Sequence, residues 1–131
     1  MKNLEDLEKK INSELTTKIK KTEIKHNQIY LETDKDDLVD VCLFLKTNKD
    51  TKFRQLIDIT VVDYPERNQR FDLVYLFLSH EFNQRLVLKY SISENELIPS
   101  LTSIFPSSNW MEREVFDMYG VSFKDHPDLR R

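Results

Sequence analysis

The sequence predicts an α+β domain of two layers, in which helices pack on one face of a mixed, mostly antiparallel five-stranded sheet. Three segments carry apolar residues at spacings of three and four, as amphipathic helices do, and five shorter segments alternate apolar and polar residues or are rich in β-branched ones. The last three strand segments are joined by short polar turns, which favours an antiparallel meander. The predicted order of elements is α-β-β-α-β-β-β-α.

The composition predicts a single folded domain over residues 1–131. Leu, Ile, Val and Phe supply 41 of the 131 residues, well above the ~20% below which charged chains tend to stay disordered. The 20 basic and 23 acidic residues leave a net charge of −3, which gives no electrostatic signature of nucleic-acid binding. No apolar run is long enough to span a bilayer, and the first ten residues lack the apolar stretch of a signal peptide. We therefore expect a cytosolic chain without direct membrane insertion.

The cysteine and histidine content argues against a disulfide and against a metal site. Cys42 is the only cysteine, so it cannot form an internal disulfide. The three histidines, His26, His80 and His126, lie far apart in sequence and do not show the spacing of zinc ligands. We interpret Cys42 as a small core residue, since no basic neighbour in sequence would lower the pKa of its thiol.

The N-terminal part predicts a helix followed by a hairpin. The helix begins after Asn3, a suitable N-cap, and its apolar stripe is Leu4, Leu7, Ile11 and Leu15. From Leu15 the spacing changes to two, through Thr17 and Ile19. Ile29 and Leu31 repeat that alternation, so we predict two short strands joined by a turn around Asn27.

The segment "TDKDDLVDVCLFLKTN" predicts the second helix. Thr33 can cap it, and the three aspartates that follow suit the positive end of the helix dipole. Its core-facing stripe, at spacings of three and four, consists of Leu38, Val41, Cys42 and Leu45.

Three further strands are predicted in "RQLIDITVVDY", "RFDLVYLFLS" and "RLVLKYSI". The first is mostly apolar on both faces, which is typical of a central strand. Within it we interpret Asp58 as the partner of a basic neighbour, the alternative being a functional position. The predicted core comprises Leu38, Val41, Leu45, Ile57, Ile59, Val61, Val74, Leu76, Leu86 and Leu88, with Met111, Val115 and Met118 sealing one edge.

The segment "WMEREVFDMYG" holds the only tryptophan and the only glycine of the sequence. Ser107 or Ser108 can cap a helix of about three turns here, with Met111, Val115 and Met118 on its inward face. Arg113 and Asp117 lie one turn apart on the other side. Gly120 falls where a helix commonly ends in a left-handed residue, so we predict a positive φ there.

The four charged residues of this helix allow more than one interpretation. A solvated helix face is the simplest. A local general acid/base pair is excluded, because Glu112 and Glu114 are two residues apart and project to different sides of a helix. A hydrolase that uses Glu114, Asp117 and His126 stays as an alternative of a different class, although no nucleophile motif accompanies these residues.

The segment "EREVFDMYGVSFKDHPDLRR" closely resembles the signature of the C subunit of respiratory complex I, the proton-translocating NADH-quinone oxidoreductase. Upstream, "DITVVDYPERNQRFDLVYLFLS" and "NQRLVLKYSI" resemble that family's strand-turn-strand segment and the strand after it. The resemblance covers residues 50–131 in sequence and the first fifty residues only in architecture. The matching signature positions are Glu112, Arg113, Glu114, Asp117, Tyr119, Gly120, His126, Pro127, Arg130 and Arg131.

The resemblance implies a non-catalytic packing subunit of the peripheral arm, held against the D subunit, which forms the quinone site. It implies that the signature residues lie at a subunit interface, and that the isolated chain has no activity. NAD, FMN, iron–sulfur clusters and quinone are expected to belong to other subunits. The expected location is the cytoplasmic side of the bacterial inner membrane, peripheral through the complex. The equivalent subunit of a membrane-bound energy-converting hydrogenase is the alternative with the same fold.

The resemblance also implies a C-terminal tail. Family members usually continue past the signature into a segment that lies over neighbouring subunits, whereas the sequence here ends at Arg131. We therefore expect one domain over residues 1–131, without the family's tail.

Overall fold

The computed structural model describes residues 3–127. Its helices are α1 (Leu4–Glu14), α2 (Leu38–Thr47), which follows a single 3-10 turn (Lys35–Asp37), and α3 (Ser108–Tyr119). Its strands are β1 (Lys21–Lys25), β2 (Gln28–Glu32), β3 (Gln55–Asp63), β4 (Phe71–Ser79), β5 (Gln84–Ile92), β6 (Leu97–Pro99) and β7 (Ser122–Lys124). Over residues 3–127, no helix combines the length and the apolar character needed to cross a membrane.

Strands β1 to β5 form one sheet in the order β1-β2-β5-β4-β3. All neighbours pair antiparallel except β2 and β5, which run parallel with Ile29 opposite Leu86. The predicted class, a mixed and mostly antiparallel five-stranded sheet with helices on one face, is confirmed. The structure adds a two-stranded parallel sheet of β6 and β7 that was not predicted. Three residues per strand are too few to show a periodicity in the sequence.

The core lies between the helices and one face of the sheet. Of the predicted core residues, Leu38, Val41, Leu45, Ile59, Val61, Leu86, Leu88 and Val115 are buried, and so is Cys42. Three strand predictions are wrong. Val74 and Leu76 point to the opposite face of the sheet and are half-buried, because they alternate with the buried Leu73, Tyr75 and Phe77. Ile57 is the extra residue of a β-bulge between Leu56 and Asp58, so it leaves the inward alternation.

Strand β3 is an edge strand, not the central strand that its apolar sequence predicts. Asp58 also differs from its prediction. Its exposed carboxylate accepts hydrogen bonds from the Ile59 backbone N–H at 2.9 Å and from the Thr60 hydroxyl at 3.4 Å, with no basic partner within residues 3–127. A bulge and an exposed charge are common means of protecting a sheet edge from pairing with other chains.

The first strand begins later than predicted. Helix α1 continues to Glu14, and Leu15 follows as its C-cap, so the alternation from Leu15 to Ile19 belongs to a turn. The predicted hairpin turn is confirmed, since His26 and Asn27 have φ values of 54° and 59°. Positive φ at both central residues is what a type I′ turn requires, and that turn matches the twist of the flanking strands.

Thr33 does not cap α2, contrary to prediction. Its buried hydroxyl donates to the Lys18 carbonyl oxygen at 2.6 Å, which ties the start of the helical segment to the end of the α1–β1 connection. The 3-10 turn separates Thr33 from α2, and Asp37 is the N-cap without a side-chain hydrogen bond. Asn3, by contrast, caps α1 as predicted, by accepting from the Asp6 N–H at 2.8 Å.

Candidate subunit interface

Both ends of α3 are fixed by hydrogen bonds. At the N-terminus, the Ser107 hydroxyl donates to the Leu56 carbonyl oxygen at 3.0 Å, so this serine ties the helix to β3 and makes no side-chain cap. At the C-terminus, Gly120 is left-handed with φ 71°, and its N–H donates to the Phe116 carbonyl oxygen at 2.9 Å. The predicted positive φ at Gly120 is confirmed. The glycine ends the helix without the strain that a Cβ would bring.

The inward face of α3 is rotated relative to the prediction. Ser108, Glu112 and Val115 are buried, and the Tyr119 and Phe71 rings pack in a T-shaped arrangement with their centroids 6.0 Å apart. The predicted trio was Met111, Val115 and Met118. Of these, Met111 is half-buried and Met118 is 74% exposed, so the prediction for Met118 is wrong. The prediction considered only apolar residues, so it missed a helix face on which one of the buried residues is a glutamate.

Glu112 is fully buried and joins three segments of the chain. Its carboxylate accepts a hydrogen bond from the Ser100 hydroxyl at 2.7 Å and another from the Leu101 backbone N–H at 2.8 Å. The His126 Nε2 lies 3.7 Å from the same carboxylate and 3.1 Å from the Asn109 carbonyl oxygen. Glu112 therefore connects α3 to the segment after β6 and to the segment after β7.

Burial raises the pKa of the Glu112 carboxyl above its ordinary value. The Leu101 N–H, the Ser100 hydroxyl and the nearby His126 act in the opposite direction, but they do not outweigh the loss of solvent. A glutamate is rarely buried unless polar groups compensate it, which is why charge alone led to an exposed assignment. The sequence does contain a signal for the buried face. Ser108, Glu112, Val115 and Tyr119 recur at spacings of three and four, so they form a helical stripe if polar residues are counted as possible buried positions.

The outward face of α3 combines exposed apolar and charged side chains. We call it the α3 stripe; its residues are Trp110, Arg113, Glu114, Asp117 and Met118, which surround a shallow recess of about 370 Å³. Trp110 is 66% exposed and Met118 is 74% exposed. Within residues 3–127, none of the three charged side chains forms an ion pair, so the possible Arg113–Asp117 pair is not made. Large apolar groups and uncompensated charges on one helix face are typical of a surface that a partner covers.

The other signature positions divide between the inside and the outside of the domain. Tyr119 and Gly120 form the end of α3, Pro127 is exposed, and the His126 side chain is buried against the inward face. Arg130 and Arg131 lie outside the described residues. Since His126 points to Glu112 while Glu114 and Asp117 lie on the α3 stripe, the structure does not bring the hydrolase candidates together. The described range also contains no group of three or more His, Cys, Asp or Glu that could hold a metal ion.

Sequence comparisons relate most of the chain to one family. Residues 31–131 match the family described as "Respiratory-chain NADH dehydrogenase, 30 Kd subunit". The NADH-quinone oxidoreductase C subunit of Dinoroseobacter shibae is 51% identical over 110 residues, which cover 84% of this chain and 51% of the relative. The C subunit of Rhodospirillum rubrum is 40% identical over 131 residues, which cover 100% of this chain and 62% of the relative. The chain thus spans between half and two thirds of the length of these relatives.

Two solved structures share the fold. The trypsin-resistant fragment (1-134) of Nqo5 superposes with a TM-score of 0.78 and 24% identity, over 96% of this chain and 98% of that one. A chain of the membrane-bound sulfane sulfur reductase, an archaeal respiratory membrane complex, gives a TM-score of 0.85 and 22% identity, over 96% and 73%. At these identities the superpositions establish only that the fold is shared, whereas the sequence matches establish that the chain is homologous to the family. The chain belongs to the family of the respiratory-chain NADH dehydrogenase 30 Kd subunit.

Proposed function

We propose that this chain is a non-catalytic subunit in the peripheral arm of a proton-translocating NADH:quinone oxidoreductase. In this role it supports electron transfer from NADH to quinone by holding its neighbours in place, chiefly the subunit that forms the quinone site. NAD, FMN, iron–sulfur clusters and quinone are bound by other subunits, and the complex holds this chain at the cytoplasmic side of the membrane. Family membership supports the assignment to this oxidoreductase complex, and the α3 stripe supports the role as a packing subunit.

The observation that carries the proposal is that the charged side chains of the α3 stripe have no ion-pair partner among residues 3–127. Arg113, Glu114 and Asp117 have no ion pair within the described part of the chain, and the two flanking apolar side chains are mostly in solvent. Such charges contribute little to the stability of the domain, since even exposed ion pairs are worth ~0–1 kcal/mol. At a desolvated interface, truncating one member of a charge pair costs ~2–5 kcal/mol, because its partner stays buried alone.

The test separates folding from assembly. Arg113→Ala and Glu114→Ala are introduced into the full-length protein in cells, and Lys9→Ala on the exposed side of α1 serves as the control. We expect all three purified proteins to melt within a few degrees of wild type, because exposed substitutions change stability by about 0.5 kcal/mol or less. We expect only the two α3 variants to lower the yield of assembled complex and its NADH:quinone activity. Normal assembly with a destabilised domain would show that the α3 stripe is a fold element.

A matched pair of substitutions that introduce a negative charge strengthens this test. Met118→Glu places a carboxylate on the α3 stripe, and Leu43→Glu places one on the outer side of α2, where Leu43 is 47% exposed. Both keep the core intact, so a loss of complex with Met118→Glu alone points to docking through α3. Equal losses with both variants would contradict a specific interface on this helix.

The equivalent subunit of a membrane-bound energy-converting hydrogenase is the alternative, since the fold also occurs in an archaeal respiratory membrane complex. Purification of the intact assembly distinguishes the two. Co-purified NADH-binding and flavin-binding subunits support the oxidoreductase, whereas a hydrogenase catalytic subunit without them supports the alternative.

A further inference from the structure

The sheet has a second face that no helix covers in the described part of the chain. On strand β4, the side chains of this outer face are Asp72, Val74, Leu76 and Leu78. An antiparallel sheet with one solvated face normally places polar residues at its outward positions. Three consecutive apolar positions on the outer face of this strand depart from that pattern.

The apolar side chains continue across the neighbouring strands. Leu76 lies opposite Val87 of β5, and Val87 lies opposite Tyr30 of β2. Beside this band a groove of about 290 Å³ is lined by Tyr30, Val74 and Val87 together with charged residues of β1, β2 and β5. A contiguous apolar band with a charged rim is characteristic of an interaction site.

The rim of the outer face is basic although the chain as a whole is acidic. Lys21, Lys25, Arg85 and Lys89 surround the band, and none of them forms an ion pair within residues 3–127. Lys25 Nζ lies 5.2 Å from the centre of the Tyr30 ring. Three acidic side chains, Glu23, Glu32 and Asp58, share the outer face with these four cations, which leaves one positive charge in excess where the full sequence carries −3.

The acid on β4 does not alter this balance. Asp72 is buried and ion-paired with Arg67 at 2.5 Å, and it also accepts from the Ser91 hydroxyl. These contacts hold the pKa of the Asp72 carboxyl below its ordinary value against the opposing effect of burial. Asp72 is therefore neutralised from within the domain, by its ion pair with Arg67 and by a smaller electrostatic contribution from Lys89. None of the four rim cations has an ion-pair partner of its own among residues 3–127.

We propose that the outer face binds a second neighbouring subunit, through a segment that presents aliphatic or aromatic side chains flanked by carboxylates. This inference rests on the proposed role as an assembly subunit and adds a contact on the side of the sheet away from the helices. A protein partner fits better than nucleic acid or an anionic membrane, because Glu23 and Glu32 lie within the same groove and repel phosphates. A mixed protein surface can pair with charges of both signs and fill the apolar band.

Cysteine labelling of the intact complex tests this contact. The native Cys42 is fully buried and burial raises the pKa of its thiol, so the wild-type chain gives little background. Lys25→Cys and Arg85→Cys report the outer face, Met118→Cys reports the α3 stripe, and Lys9→Cys on α1 is the exposed control. In the assembled complex we expect a polyethylene glycol maleimide to react about tenfold more slowly with the two outer-face cysteines than with the control, because interface positions exclude solvent.

Carbodiimide cross-linking of the same complex identifies the partner chemistry. We expect zero-length links from the amines of Lys25 and Lys89 to carboxylates in a peptide of another subunit that also contains large apolar residues. Labelling of the outer-face cysteines at the control rate overturns the inference. Protection that disappears when lipid is removed, with binding to phosphatidylglycerol vesicles, also overturns it in favour of a membrane surface.

The cysteine introduced by Met118→Cys separates this inference from the proposed function. If Met118→Cys is protected while the outer-face cysteines react freely, the α3 interface stands and the second contact fails. If only the outer-face cysteines are protected, the second contact stands and the docking through α3 fails.

Discussion

Replacing Glu112 by alanine should destabilise the domain substantially, although the residue belongs to a helix whose other charges are exposed. Leu101 is fully buried, and the substitution removes the carboxylate that accepts the hydrogen bond of its backbone N–H. It also leaves a cavity where the buried Glu112 side chain was. An unsatisfied buried donor costs ~1–3 kcal/mol, and the lost packing adds to this. The Ser100 hydroxyl is less affected, because it is also 3.0 Å from the Thr102 hydroxyl. We expect a loss of about 2–4 kcal/mol in the free energy of unfolding.

Glu112→Gln is the informative companion to that variant. The amide oxygen can still accept from the Leu101 N–H, the amide nitrogen can donate to the Ser100 hydroxyl, and no charge is buried. We therefore expect glutamine to stay within about 1 kcal/mol of wild type, because both local hydrogen bonds survive. Glu114→Ala, on the exposed side of the same helix, is the matched control and should change the unfolding free energy by about 0.5 kcal/mol or less.

Urea denaturation of the purified chain, followed by tryptophan fluorescence of Trp110 and by circular dichroism, measures all three variants. A shift in the midpoint at constant slope reports a change in stability alone. If Glu112→Ala unfolds at the wild-type midpoint, or if Glu114→Ala is destabilised as much, the buried connection between α3 and its neighbouring segments is refuted.

Three other properties of the chain can be tested in solution. Gly120→Ala should lower the free energy of unfolding by about 1–2 kcal/mol from left-handed strain alone, since a Cβ there meets nothing within 4 Å; an unchanged urea midpoint would contradict this. Because burial raises the folded-state pKa of Glu112, wild type should lose stability relative to Glu112→Gln as the pH rises above the ordinary value of 4.5; denaturation curves at several pH values check the sign, and a constant difference would refute it. The purified chain should show no flavin or iron–sulfur absorption, since one buried cysteine cannot hold a cluster; stoichiometric visible bands would rule this out.

Periodicity predicted the layout of the fold but not the faces of its most apolar strands. The stripe of α2 was predicted in full, because its buried positions are apolar at regular spacings of three and four. Strand β4 is apolar on both faces, so alternation could not show that Leu73 and Tyr75 point to the helices while Val74 and Leu76 point away. The bulge at Ile57 then shifts the phase of β3 by one residue, and no residue type in that stretch marks a bulge.

The position of α3 and its C-terminal end were predicted, but the orientation of its buried face was not. Gly120 indicated the end of α3 because a left-handed residue is most easily a glycine. The buried face was misplaced because hydrophobicity ranks a glutamate last among core residues, while its burial depends on donors from Ser100 and Leu101, which lie 12 and 11 residues earlier in the chain. Pairing between segments that are distant along the chain is set by the tertiary fold and is not encoded in local spacing.

The parallel junction between β2 and β5 has a consequence for how the chain reaches its native state. The β3–β4–β5 meander and the β1–β2 hairpin each form from residues close in sequence. Within the sheet they are joined only by the pairing of β2 with β5, from Ile29 opposite Leu86 to Glu32 opposite Lys89. Closing so long a loop carries a large entropic cost before any contact repays it, so the hairpin should dock onto the meander late in folding. Until it does, β5 is an open edge with buried-type side chains along its length. A truncated chain that lacks the hairpin would leave the β5 edge free to pair with other chains. The segment up to Glu32 therefore protects the domain from aggregation by covering that edge.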